Sequence, residues 1–267
     1  MSVNDGLNLQ NDLDNVLKWT KIWGMSFNTV KCVQMTITNK KNIIKRHYYL
    51  GSEKLIQKDF VKYLGVTIDK NLTFGQHIKE KIKSATTTLN MLRRNLYHAP
   101  KSVKMKAYIS CVLPILEYAS TSWQPTSEKS NNSLEMVQHN AARFISNSYI
   151  KKGEFKRTSI SEILNYLQLD TLEERRTKMR LNMAYKIING YVILDSNLLP
   201  KVKNTGRQRE CNAPKVGIDN HLIEPPPGLK TTSKTFFYSV PKLWNELVTP
   251  EQAEAPSVDA FKEHFNN

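Results

Sequence analysis

The sequence predicts an α+β protein: one helix on a small antiparallel sheet, then a helical bundle, then a C-terminal region that is mostly helical or irregular. Three observations carry this. Apolar residues recur at helical spacing before Gly24 and again over residues 78–96. Between those stretches they alternate with polar ones, the period of a half-buried strand. Beyond Pro200 the periodicity lapses into stretches such as GRQREC and EPPPG.

Each element has its own reason. Leu9, Leu13, Val16, Leu17 and Trp23 form one helical stripe, with Asp5 near its start and Gly24 placed to end it. Trp23 on that stripe is expected to meet the core. Val33, Met35 and Ile37 alternate with Gln34, Thr36 and Thr38, which predicts a strand over residues 33–38. A second β segment lies around Tyr48–Leu50, with Gly51–Lys54 as a hairpin connection. FVKYLGVTID, residues 60–69, is the strongest strand signal, with Gly65 as a bulge or close-approach glycine. Tyr63, Leu64 and Val66 are expected to help build a core.

Helices follow. Ile78, Ile82, Ala85, Leu89, Leu92 and Leu96 mark the first, with Arg93 and Arg94 near its C-terminal end. A second begins near Ser102 and should kink or stop at Pro114. SLEMVQHNAARFI holds a third, and short links between the three suggest a compact bundle. Ser159/Glu162 and Thr171/Glu174 have capping-box spacing. The second box opens a helix ending at Gly190, with Leu172, Met179, Met183 and Ile187 along it. Phe236, Phe237, Trp244, Phe261 and Phe265 suggest a small aromatic-anchored end piece. The expected organisation is therefore 1–75, 76–150 and 151–267.

Charge narrows the function. Lys+Arg 39 against Asp+Glu 24 gives +15. Residues 1–75, 76–150 and 151–210 carry nets of +5, +6 and +6, while 211–267 carries −2. Positive charge spread in this way suits a long polyanion groove better than a localisation tail. Lys79, Lys81, Lys83, Arg93, Arg94, Lys101, Lys104 and Lys106 cluster on and between the first two bundle helices, a pattern that favours phosphate contact over an ordinary solvated face. Arg175, Arg176, Lys178 and Arg180 are partly offset by Glu173 and Glu174 and read as a solvated helix face.

Enzyme signatures are missing. The sequence has no GxSxG, GxGxxG, HExxH or phosphate-loop GKS/T. Asp12 and Asp14, two apart on a helix, point to different sides and cannot share a metal. Cys32, Cys111 and Cys211 are dispersed, which argues against a disulfide framework or a zinc site. Trp19, Trp23, Trp123 and Trp244 are expected to pack rather than to stack on bases. No apolar run reaches the length of a membrane span, so no membrane partner is expected.

Five stretches in order carry a resemblance: LQNDLDNVLKWTKIWGMSFNTVKC, FVKYLGVTID, HIKEKIKSATTTLNMLRR, AYISCVLPILEYASTSWQP and EMVQHNAARFI. Together they resemble the reverse transcriptases of non-LTR, jockey-like retrotransposons. LEERRTKMRLNMAYKIING and FFYSVPKLWNEL are similar to the region after the thumb in the same proteins. The resemblance implies a palm remnant at 1–75, a thumb-like bundle at 76–150 and a post-thumb connection at 151–267. It implies RNA, DNA or an RNA–DNA hybrid as partner, and a place in the nucleus or cytoplasm. It also implies magnesium for a full-length parent polymerase, with no cofactor bound by this chain. The family's aromatic-x-Asp-Asp segment normally lies just before the stretch resembling NDGLNLQNDLD. The chain is therefore expected to lack that motif and to be inactive as a polymerase alone.

The resemblance also assigns sites. Lys31 occupies an inherited general-acid position, where an ammonium would protonate leaving pyrophosphate, although it has no leaving group to serve in this chain alone. Tyr63, Leu64 and Gly65 match the hairpin that holds the primer end. Lys79, Lys83, Arg93, Arg94 and Lys104 fall on the thumb, which tracks the hybrid. Three other readings remain: a non-catalytic module holding hybrid phosphates, a helical adaptor for proteins, and a full polymerase behind an incomplete gene model.

Overall fold

The computed structural model describes residues 3–38, 46–125, 127–147, 159–194, 201–202, 223–224 and 236–265. GRQREC, which includes Cys211, and residues 225–228 of EPPPG lie outside the described residues. The chain divides into two compact units, Met1–His77 and Ile78–Asn267.

In the first unit, α1 (Val3–Ile22) ends as Gly24 predicts. Gly24 adopts φ 64°, its N–H donates to Lys21 O at 3.2 Å, and the Met25 N–H donates to Thr20 O at 2.8 Å. This double closure satisfies carbonyls that the last turn leaves open. The stripe itself is not covered as expected: its members Leu9, Val16 and Trp23 are exposed, as are Trp19, which was expected to pack, and Ile22.

The expected sheet is replaced by separate pairs. β1 (Val33–Gln34) runs parallel to β4 (Ile56–Gln57), and β2 (Tyr49–Leu50) pairs antiparallel with β3 (Glu53–Lys54). The strand expected over 33–38 is thus only two residues long. Side-chain amides take over part of the ladder. Gln10 Nε2 donates to Tyr49 O and Gln10 Oε1 accepts the Tyr49 N–H, both at 2.9 Å. Gln34 does the same one step earlier, donating to Arg46 O at 2.9 Å and accepting from Tyr48 N–H at 3.1 Å. A primary amide offers the same donor and acceptor as a peptide group, so each glutamine occupies an edge that a strand would otherwise pair.

FVKYLGVTID is a hairpin rather than one bulged strand. β5 (Phe60–Tyr63) and β6 (Val66–Asp69) pair in register from Phe60↔Asp69 to Tyr63↔Val66. The two-residue turn has φ 44° at Leu64 and 79° at Gly65. Positive φ at both positions is the turn whose twist matches paired strands. Val66 enters the core, but Tyr63 and Leu64 do not. Asp69 then closes the loop into α2 (Gly75–Asn95). Its carboxylate accepts from the N–H groups of Asn71, Thr73 and Phe74 and from Thr73 Oγ1, at 2.7–3.2 Å.

The second unit is helical. α2 buries Ile78, Ala85, Leu89 and Leu92 as its pattern predicts. α3 (Lys101–Ala107) and α4 (Leu113–Glu117) are joined by a π-helical segment, Tyr108–Val112. Pro114 has no N–H and crowds the preceding turn. The wider segment lies immediately before it, and helical structure runs on to Glu117 instead of stopping at the proline. α5 (Glu128–Ser146) is capped by the Ser127 side chain and buries Leu134, Val137, Ala141, Phe144 and Ile145.

α6 (Ile160–Leu167) and α7 (Leu172–Ile188) open on the two predicted capping boxes, and both boxes are complete. Both helices pack against α5. Short strands β7 (Lys201–Val202) and β8 (Ile223–Glu224) form an antiparallel pair. The end piece comprises α8 (Phe236–Leu247), α9 (Pro250–Ala253) and α10 (Val258–Glu263). Trp244 stacks on Phe261 with centroids 5.6 Å apart, and Phe261 stacks on Tyr185 of α7 at 4.4 Å. The aromatic residues thus tie the end piece to α7.

Candidate nucleic-acid interface

The candidate residues fall into two groups, one on each unit. Lys31 ends a 3₁₀ turn, Thr29–Lys31, and its N–H donates to Asn28 O at 3.0 Å. The side chain is exposed. It stands two residues before β1, which pairs with β4 and not with the β5–β6 hairpin. Tyr63 and Leu64, at that hairpin's tip, are 64% and 75% exposed. Leu64 gains no burial from its left-handed backbone.

On the second unit, α2 has two distinct faces. At about 100° per residue, Lys79, Lys83 and Arg94 fall within about 60° of one another, roughly opposite the buried stripe. All three are exposed. Lys79 and Arg94 are separated by about 22 Å of helix axis. The result is a one-signed line of cations on a rigid element, suited to backbone phosphates and indifferent to base identity.

Two of the predicted contacts are corrected. Lys104 is 1% exposed; its Nζ donates to Asn147 Oδ1 at 2.7 Å and lies 5.0 Å from the centre of the Phe144 ring. It supports α3 against α5 and does not face a ligand. Arg93 is half-buried, and its Nη2 donates to Asn140 O at 3.2 Å, which ties α2 to α5. Among the other lysines of the cluster, Lys101 lies 3.5 Å from the centre of the Tyr166 ring and Lys81 lies 5.1 Å from that of Tyr118.

The run on α7 is not a solvated face. Arg175 pairs with Glu117, and Lys178 pairs with Asp170 at 2.7 Å. Arg176 and Arg180 are buried. Glu135 of α5 accepts the N–H groups of Leu172 and Glu173 at 3.1 and 2.8 Å, so a carboxylate from a different helix sits at the positive end of α7. Its carboxylate is also 3.9 Å from the Arg176 guanidinium. Burial pushes the Arg176 pKa down, with Glu135 opposing, and pushes Arg180 down to about 10. A signal for these buried arginines was present in the sequence. Leu172, Arg176, Arg180, Ala184 and Ile188 step by four along one helical stripe.

Among the described residues, no three His, Cys, Asp or Glu side chains converge as metal ligands. Asp12 and Asp14 are both exposed on α1. Among the described residues, no helix is long and apolar enough to cross a membrane.

The chain is 28% identical over 198 residues to the probable RNA-directed DNA polymerase from transposon BS of Drosophila melanogaster, covering 72% of this chain and 21% of that protein. It is 27% identical over 156 residues to the RNA-directed DNA polymerase from mobile element jockey of the same species, with shares of 56% and 17%. The polymerase from mobile element jockey of Drosophila funebris is 30% identical over 141 residues, with shares of 52% and 15%. The likeness to retrotransposon RNA-directed DNA polymerases thus extends over more than half of this chain, and the match spans between 15% and 21% of their length. No protein-family model and no solved structure matches the chain.

Proposed function

We propose that the chain is a piece of a mobile-element RNA-directed DNA polymerase whose helical unit holds nucleic acid by its phosphates, an RNA–DNA hybrid being the intended partner. On this reading Met1–His77 is the end of a palm, the bundle from α2 to α5 is a thumb, and the rest is the connection after it. The observation that carries it is the cation line Lys79, Lys83 and Arg94 on the solvent face of α2. The polymerase relatives support the choice of nucleic acid over another polyanion. The exposed tip Tyr63–Leu64–Gly65 is assigned to the primer end, and Lys31 to an inherited position beside it in function.

The test is hybrid binding by the whole chain across a salt series. Affinity should fall linearly in log–log form. Replacing Lys79, Lys83 and Arg94 together with Gln should make the slope shallower by about 2 to 3, with no change in base preference. A slope identical to that of the unaltered chain removes the assignment.

Polymerisation is proposed to require more than this chain. Primer extension on an RNA template with magnesium and the chain alone should stay at background. Incorporation above background would overturn that part. The second reading, a self-standing non-catalytic binding module, shares the salt test and differs only in needing no polymerase partner.

A further inference from the structure

A cleft of about 390 Å³ between the start of α5 and α7 is lined by two buried arginines whose hydrogen bonding is incomplete. Ser127, Asn131 and Asn132 line it from the start of α5, and Arg176, Thr177 and Arg180 line it from α7. Arg176 is 4% exposed and Arg180 2%. A guanidinium taken out of water needs an opposite charge and a full set of acceptors, or its burial is strongly unfavourable.

Neither arginine has that set. Arg176 donates to Asn131 Oδ1, and the Glu135 carboxylate near it already accepts two backbone N–H groups. Arg176 Nη1 has no hydrogen-bond partner among the described residues. Arg180 donates to the neutral Ser239 hydroxyl and lies 5.4 Å from the centre of the Phe236 ring. Its Nε also has no partner, and no carboxylate is paired with it among the described residues. Arg180 is therefore a buried cation with no carboxylate beside it among the described residues, while Arg176 shares Glu135 with two backbone N–H groups and feels Glu173 and Glu117 more weakly.

We propose that this cleft binds a phosphate-type oxyanion. The guanidinium fork matches such an oxyanion in shape and charge. The first turn of α5 adds the partial positive charge of a helix start, and Asn132 and Thr177 supply neutral polar groups on the walls. Glu128 and Glu173 also line the cleft. Both oppose an anion in the cleft; their exposure weakens that opposition without removing it, and Asn131 Nδ2 holds Glu173 at 2.8 Å. The anion is either free inorganic phosphate or a backbone phosphate of bound nucleic acid.

The test begins with thermal unfolding of the whole chain in inorganic phosphate, against sodium chloride of equal ionic strength. At ten times its Kd, phosphate should multiply the folding equilibrium about tenfold. Asn132→Asp and Thr177→Glu each put a carboxylate on the cleft wall, and each should lower phosphate affinity about fivefold or more. Broadening of the phosphate phosphorus resonance by the unaltered chain, lost in Asn132→Asp, reads the same site without reference to stability. An RNA oligonucleotide that binds both variants more weakly identifies a backbone phosphate as the source. Unchanged RNA affinity with a lost phosphate response identifies free phosphate. Equal effects of phosphate and chloride, or phosphate effects untouched by both variants, overturn the proposal. Complete failure of the chain to bind RNA would remove the hybrid assignment above and leave the phosphate arm standing.

Discussion

Lys104 and Lys83 are the same residue type with opposite roles. Lys83 extends into solvent from α2, while Lys104 lies under Phe144 with its ammonium on Asn147. Lys83→Gln should change stability by no more than about 0.5 kcal/mol and should weaken nucleic-acid binding. Lys104→Ala should cost about 2–4 kcal/mol, because it leaves a cavity and removes a buried link. Urea unfolding of both variants distinguishes them, and equal costs would sink the separation. Asp69 offers a pH test. Burial raises its pKa, but the groups of Thr73, Asn71 and Phe74 that donate to the carboxylate outweigh it and hold the pKa below the ordinary 3.8. A lowered folded pKa contributes stability that is present above 3.8 and is lost as pH falls through the folded value. Unfolding measured as pH falls from 6 to below 3.8 should show this contribution being lost progressively, and Asp69→Asn should flatten that part of the profile. A profile unchanged by Asp69→Asn would contradict the assignment.

Turns and caps decide the elements. Gly65 sits at φ 79° in the turn of the β5–β6 hairpin. Gly65→Val should cost about 1–2 kcal/mol, since a β-branched residue resists a left-handed backbone. Thr171→Ala at the start of α7 should cost about 1 kcal/mol. Both are read by denaturant midpoints, and a neutral Gly65→Val would mean the turn had changed type. The capping boxes were legible because they are local: four consecutive positions contain both donors and both acceptors. The π-helical segment before Pro114 was not. The sequence shows that the proline must disturb a helix but not how the surrounding packing absorbs the disturbance.

For the whole molecule, the helical unit is more than a three-helix bundle. α6 and α7 cover α5, Glu135 caps α7, and the aromatic end piece packs on α7. A chain ended after residue 148 should therefore unfold at clearly lower urea than one that continues through residue 265. Equal midpoints would show that the bundle is self-sufficient. In the other unit, Ile22 and Trp23 lie bare on and after α1. Apolar surface of this kind promotes association. Lys at both positions should raise the concentration at which light scattering reports a single species; no change would mean that this surface is inert.

By itself the sequence determined the helices, the two boxes, the Gly24 stop, the basic balance and the likeness to mobile-element polymerases. These depend on local periodicity, local hydrogen bonds and order along the chain. Only the tertiary structure decided which cations face solvent. Lys79, Lys83 and Arg94 do, whereas Lys104, Arg176 and Arg180 are buried by helices remote in sequence. Charge is a property of the residue, but its exposure belongs to the neighbours that pack over it, and those neighbours are chosen by the fold.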